Sequence, residues 1–199
     1  MNCIEQDSLS QRRSFYGLDK LSVKALDCVQ DTIASCILNC PTPFNVQSAR
    51  VVLLLNEQHN LFWNLVWQQM EKVIKPEQKE ASQARISAFK QAHGTILYFE
   101  DKEALEKLKQ QYPLYAKNIN IWAQQANGIL QYMIWSSLAE NNIGASLQHY
   151  NELVADALHK TFNLPTNWEI VAQMPFGSIT KEPSVKTFLS LKERFIIKK

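Results

Sequence analysis

The apolar positions of this chain fall into blocks with two different periods. Ser22 followed by Val23-Lys24-Ala25-Leu26-Asp27-Cys28-Val29 reads as an N-cap opening an amphipathic helix that runs to about Asn39. Pro41-Thr42-Pro43-Phe44-Asn45 ends it, because proline lacks the N–H that a helix interior needs and holds its predecessor out of helical space. Ala49-Arg50-Val51-Val52-Leu53-Leu54-Leu55 is branched and apolar enough for a buried strand. Helical spacing returns from Glu57 to Val73, with Leu61, Leu65 and Gln68 on one face, and again from Glu77 to Lys90. Gly94-Thr95-Ile96-Leu97-Tyr98-Phe99 predicts the next strand, and Asp101 caps a short charged helix, Lys102 to Gln110.

The longest helical stretch lies between Leu114 and Asn141. Trp122, Ala126, Ile129, Leu130, Met133, Ile134 and Leu138 recur at three- and four-residue steps, with apolar groups on other faces too, so this helix is expected to be buried on several sides. Gly128 in its middle costs about 1 kcal/mol against alanine and predicts a close helix crossing. Gly144 reads as a helix C-cap before a strand. Trp168 to Met174 is a third strand, expected to end at Pro175 and Gly177. A turn at Pro183 then leads to an apolar end, Phe195-Ile196-Ile197, too short to fold alone. Helices outnumber strands without regular alternation, so the class is α+β.

Composition narrows the function classes. In 199 residues, 46% hydrophobic and 20% charged, there is material for one domain spanning residues 1–199, and disorder is excluded. A net charge of +2 gives no footprint for nucleic acid. No run approaches a membrane span, and the start, Met1 to Ser8, lacks the apolar core of a signal peptide, so a cytoplasmic protein without membrane attachment is expected. The cysteines at 3, 28, 36 and 40 lack metal-ligand spacing and read as thiols in a reducing compartment. Only five glycines occur, at 17, 94, 128, 144 and 177, so neither a Walker A loop nor a G-x-G-x-x-G turn is present. A nucleotide phosphate would have to be held by side chains.

No nucleophile motif is present, and four polar clusters remain. Arg12-Arg13-Ser14-Phe15-Tyr16 offers two guanidiniums and a hydroxyl, a set suited to phosphate and equally to a solvated surface pair. Thr42-Pro43-Phe44-Asn45-Val46-Gln47-Ser48-Ala49-Arg50 carries two amides and two hydroxyls on a stiff loop, able to close the loop or to read a planar heterocycle. The others are Gly144-Ala145-Ser146-Leu147-Gln148-His149-Tyr150-Asn151 and the lysines at 181 and 186.

Taken in order, these clusters resemble the FMN-dependent nitroreductase family, in particular its small members of the fatty-acid-repression-mutant type. Pro113-Leu114-Tyr115-Ala116, Gln173-Met174-Pro175-Phe176-Gly177, Lys186-Thr187-Phe188 and Glu193-Arg194-Phe195 match as well, so the likeness spans nearly the whole chain. It implies a mainly antiparallel sheet surrounded by helices, in an intertwined homodimer whose C-terminal segment crosses to the partner's sheet. It also implies two FMN sites at the interface, NAD(P)H as reductant and small nitro or quinone-type acceptors, in a ping-pong reaction through flavin N5.

By the same resemblance Arg12, Arg13 and Ser14 would meet the phosphate and ribityl chain, with Arg13 or its neighbours reaching the ring edge, and Lys186 would add a phosphate contact. Pro41, Thr42, Asn45 and Gln47, on the loop from the other subunit, would contact the flavin, and Gln148, His149 and Tyr150 would line one isoalloxazine face. No protein nucleophile is implied, because the flavin carries the chemistry. Three positions depart from the family pattern. Phe188 stands where an arginine is common, and Pro43 and Phe44 replace serines, so Phe44 is expected to narrow the substrate face. Competing readings are an FMN-binding stress-response or regulatory protein with incidental turnover, and a cofactor-free interaction protein built on the long helix.

Overall fold

The computed structural model describes residues 6–199, so Cys3 and most of the segment inspected for a leader lie outside the described residues. Seven α-helices occur among them: α1 (Gln6–Gln11), α2 (Val23–Asn39), α3 (Asn56–Met70), α4 (Lys79–Gln91), α5 (Lys102–Gln111), α6 (Ala116–Glu140) and α7 (Asn151–Phe162). The strands are β1 (Gly17–Asp19), β2 (Ala49–Leu55), β3 (Gly94–Asp101), β4 (Ile143–Ala145) and β5 (Trp168–Lys181). They form one sheet in the order β1-β5-β3-β2, with β4 also on β5, and every named pair is antiparallel. The α+β expectation with a mainly antiparallel sheet is met.

The alternation of β3 shows why helices must cover both faces. Ile96 and Tyr98 enter one core with Val29, Ile33 and Cys36 of α2 and Leu130, Ile134 and Leu138 of α6. Leu97 and Phe99 enter a second core with Phe62, Trp63 and Val66 of α3, Ile86 and Phe89 of α4, and Val154 and Leu158 of α7. A strand buried on both faces reads as an apolar run, and its period alone is uninformative. A bulge between Tyr98 and Phe99 pairs them with Ala172 and Ile170, skipping Val171. That slip explains how Ile170 and Ala172, two residues apart, face opposite cores.

Several expectations are corrected. β5 does not stop at Pro175 but runs to Lys181. The N–H and C=O of a strand residue point to the same edge, and the Pro175 carbonyl accepts from Ser146 N, beyond the end of β4, so no ladder bond to β3 is lost. Gly144 is a strand residue; the turn after α6 uses Asn142 at φ 55°. Helix α7 was missed, although Val154 and Leu158 are its buried stripe. In α3 the buried residues are His59, Phe62, Trp63, Leu65 and Val66, so Leu65 is buried as expected whereas Leu61 is exposed. No atom of another element lies within 4 Å of a Cβ built on Gly128, so no helix crosses there within the chain.

His59 is a buried polar group with all its needs met. Its Nδ1 lies 2.9 Å from Thr95 Oγ1, and its Nε2 lies 3.2 Å from the Lys90 carbonyl. Trp63 Nε1 donates to the same Thr95 oxygen at 2.9 Å. Because a carbonyl only accepts, Nε2 carries the proton and Nδ1 takes the Thr95 hydroxyl. Burial pushes the imidazole pKa down to about 4, and nearby Lys20 and His93 add to the shift. An unfolded His59 binds a proton below about pH 6.5, whereas the folded one stays neutral to about 4. Stability is therefore lost as pH falls between these values, by roughly 3 kcal/mol once both forms are protonated. Urea unfolding at pH 7 and pH 4.5 should show this loss in the wild type, and His59→Asn should abolish this residue's share of the slope.

Candidate functional site

Arg12, Arg13 and Ser14 sit between α1 and β1, where the chain enters the sheet. Phe15 N donates to the Ala145 carbonyl at 3.0 Å, and Ser14 bridges Ala145, so backbone pairing with β4 fixes this entry. Gly17 to Asp19 then pair with β5. The end of β5 turns at Pro183 and brings the lysines back over the same place. The result is a cleft of about 430 Å³ lined by Arg12, Arg13, Ser14, Tyr16, Gly17, Lys181, Glu182, Pro183, Ser184 and Lys186. The first and fourth clusters of the sequence thus form one site, although about 170 residues separate them.

Each guanidinium is held. Arg12 lies over the Trp135 ring with its Cζ 4.4 Å from the centroid, a cation–π contact. Arg13 Nη2 donates to the Ser184 carbonyl at 2.5 Å, tying the returning tail to the entry segment. Both arginines are half-buried, whereas Lys181 and Lys186 are exposed. Four cations against the single carboxylate of Glu182, beside the Ser14 hydroxyl, make a donor set for a dianionic phosphate. Trp135 was not among the expected site residues; its signal was only an aromatic ring on α6.

The second cluster forms a strained loop. Phe44, Asn45 and Gln47 all adopt left-handed backbone, at φ 50°, 53° and 51°. For a ring as large as Phe44 this is an outlier that the surroundings must enforce. Thr42 Oγ1 accepts from Gln47 N at 3.1 Å, and the Thr42 carbonyl accepts from Asn45 N at 3.1 Å. Arg50 clamps the far end, donating from Nη1 to the Gln47 carbonyl at 2.7 Å and from Nη2 to Asp101 Oδ2 at 2.8 Å. Asp101 in turn caps α5 through the N–H groups of Glu103 and Ala104, and it accepts from Asn167 Nδ2 at 2.7 Å. Burial opposes ionisation of Asp101, but these donors and the Arg50 charge win and hold its pKa below the usual carboxylate value. None of Pro41, Thr42, Asn45 or Gln47 lines the cationic cleft of the same chain.

Gln148 to Tyr150 flank the sheet. Gln148 and Gln173 exchange backbone bonds of 2.7 and 2.9 Å, and Gln173 Oε1 accepts from Tyr150 N at 2.7 Å. The Tyr150 ring is turned inward, edge-on to Trp63 with centroids 5.8 Å apart, so it anchors this segment. Gln148 is half-buried and His149 exposed. Neither they nor Tyr150 belong to the cationic cleft.

Residues 9–178 match the Nitroreductase family. The chain belongs to that family. The nitroreductase FRM2 of Saccharomyces cerevisiae is 31% identical over 92% of this chain and 92% of its own length. Among solved structures, nitroreductase CinD from Lactococcus lactis in complex with chloramphenicol superposes with a TM-score of 0.88, at 35% identity over 98% of this chain and 99% of that one. The same protein in complex with 4-nitrophenol gives 0.84 at 37% identity, again over 98% and 99%. This nitroreductase-family chain therefore shares both fold and sequence with oxidoreductases of that type. Among its described residues no helix is long and apolar enough to cross a membrane.

Proposed function

We propose that the protein is an FMN-dependent NAD(P)H oxidoreductase that reduces nitroaromatic or quinone-type acceptors and works as a homodimer. The observation that carries this reading is the cleft in which Arg12, Arg13, Ser14 and Lys186 converge, a cationic site built without a glycine loop. The chemistry supplied by bound FMN is hydride transfer, from NAD(P)H to N5 and on to the acceptor, the two substrates taking turns at one face.

Arg12 and Arg13 would hold the phosphate, Ser14 would take the ribityl end, and Lys186 would neutralise the remaining charge. Gln148 and His149 would line the isoalloxazine, with Tyr150 fixing their segment in the core. The loop carrying Pro41, Thr42, Asn45 and Gln47 comes from a second copy, which fits its absence from the cleft of its own chain. Phe188, Phe195, Ile196 and Ile197 are exposed on a tail that forms no strand here, and an apolar tail of this kind suits a crossing to the partner's sheet. Gly128, Ile129 and Tyr132 on the open side of α6 extend the same interface.

The experiment is steady-state oxidation of NADPH and of NADH by the FMN-loaded protein with 4-nitrophenol or a benzoquinone. Acceptor-dependent oxidation with parallel double-reciprocal lines supports the proposal. Bound flavin without turnover on either acceptor would return the protein to a binding role.

A further inference from the structure

Trp135 follows Ile134 on α6 and packs half-buried against the first core. Its indole Nε1 is enclosed there and has no hydrogen-bond partner among the described residues. Burying a donor unpaired costs stability, so packing alone would be served better by phenylalanine. What indole adds is the strongest π face of the natural side chains, and Arg12 Cζ lies over it, 4.4 Å from the centroid. Arg12 in turn lines the cationic cleft, and among the described residues no carboxylate pairs with it. Arg13 differs, because it gives an N–H to the Ser184 carbonyl.

We propose that Trp135 is a positioning residue for the cofactor phosphate: its ring seats the Arg12 guanidinium in the cleft wall and leaves the charge and the N–H donors to the phosphate oxygens. This rests on the flavoenzyme reading above. An arginine loose in solvent gives up rotamer freedom when it grips an anion. One already seated on a ring has lost much of that freedom before the ligand arrives, so less is subtracted from the binding free energy. A π face also suits this task better than a carboxylate, which would hold the cation by taking its donors and cancelling its charge. An aliphatic side chain would cover the Arg12 stem equally well, but it offers nothing to the charged head. That difference between ring and aliphatic chain is what separates positioning from packing.

The test titrates FMN, and riboflavin as the same flavin without the phosphate, into the wild-type chain and its variants, read by flavin fluorescence. Trp135→Leu should bind FMN roughly three- to ten-fold more weakly, with riboflavin affinity unchanged. Trp135→Phe keeps a ring and removes the unpaired donor, so its FMN affinity should stay within about two-fold of wild type. In an Arg12→Ala background Trp135→Leu should cost nothing further, because the ring acts only through that guanidinium. Should Trp135→Leu leave too large a void for folding, Trp135→Met fills it with a flexible chain and is read in the same way. Undiminished FMN affinity in a folded Trp135→Leu or Trp135→Met variant overturns the proposal. An equal loss for riboflavin, or the same loss again without Arg12, overturns it too. A wild-type protein that binds no FMN overturns the flavoenzyme reading itself.

Discussion

Replacing both guanidiniums of the cleft, Arg12→Ala with Arg13→Ala, is expected to weaken FMN binding by roughly a thousand-fold while the chain stays folded. A charge-assisted hydrogen bond is worth about 1.5–3 kcal/mol, so each single variant should lose roughly ten- to a hundred-fold. The pair should fall short of the product, because adjacent groups on one phosphate share their partner. Lys186→Ala should cost less. Its ammonium is exposed and lies over the Phe188 ring at 5.3 Å, and water screens much of its attraction. Isothermal titration with FMN would measure all four variants, and circular dichroism would confirm that folding survives. Arginine variants that bind FMN as tightly as the wild type would return the cluster to the solvated surface.

The second large effect concerns backbone packing. Gly177→Ala should destabilise the protein by about 3 kcal/mol and lower its melting temperature by roughly 6–12 °C. A Cβ on Gly177 would lie 2.2 Å from the Asp19 carbonyl oxygen and 3.2 Å from His93 N. Both are backbone atoms, so no rotamer change relieves the clash; β1 must move away from β5. Because β1 continues directly from Arg12-Arg13-Ser14, the same shift should also weaken FMN binding. Calorimetry of this variant checks the first effect, and flavin titration of the folded fraction checks the second. A variant with unchanged melting would mean that β1 is not held as tightly against β5 as the register requires.

The sequence was most legible where local chemistry sets the element. Ser22 and Asp101 are caps by side-chain hydrogen bonds to residues just downstream, so α2 and α5 could be placed from a few letters. Pro43 opens the loop turn where proline rules demand it. Legibility failed where a distant partner supplies what a residue lacks. Pro175 sits inside β5 because Ser146 serves its carbonyl and the edge beyond β4 needs no donor. Asn142, not the neighbouring Gly144, takes the left-handed turn. Helix α7 has a short apolar stripe, Val154 and Leu158, whose meaning comes from the core that α3 offers it.

The site shows the same division. Arg12, Arg13 and Ser14 were readable as phosphate-binding types and Lys186 only through the family resemblance, and the fold brings them into one cleft together with Lys181. What could not be read was Trp135 behind Arg12, the inward turn of Tyr150 and the stacking of Phe44 on Tyr112. Each depends on where a side chain turns after the backbone is placed, and no spacing rule encodes that.

The most direct test of the side-chain grip on phosphate compares FMN with riboflavin, which shares the ring and ribityl chain but has no phosphate. Titrated into the wild-type protein at low salt, FMN should bind at one per chain, and riboflavin roughly a thousand-fold more weakly, the worth of about two charge-assisted hydrogen bonds. Raising the salt should narrow the gap. Equal affinity for the two flavins, or no binding of FMN, would contradict the account.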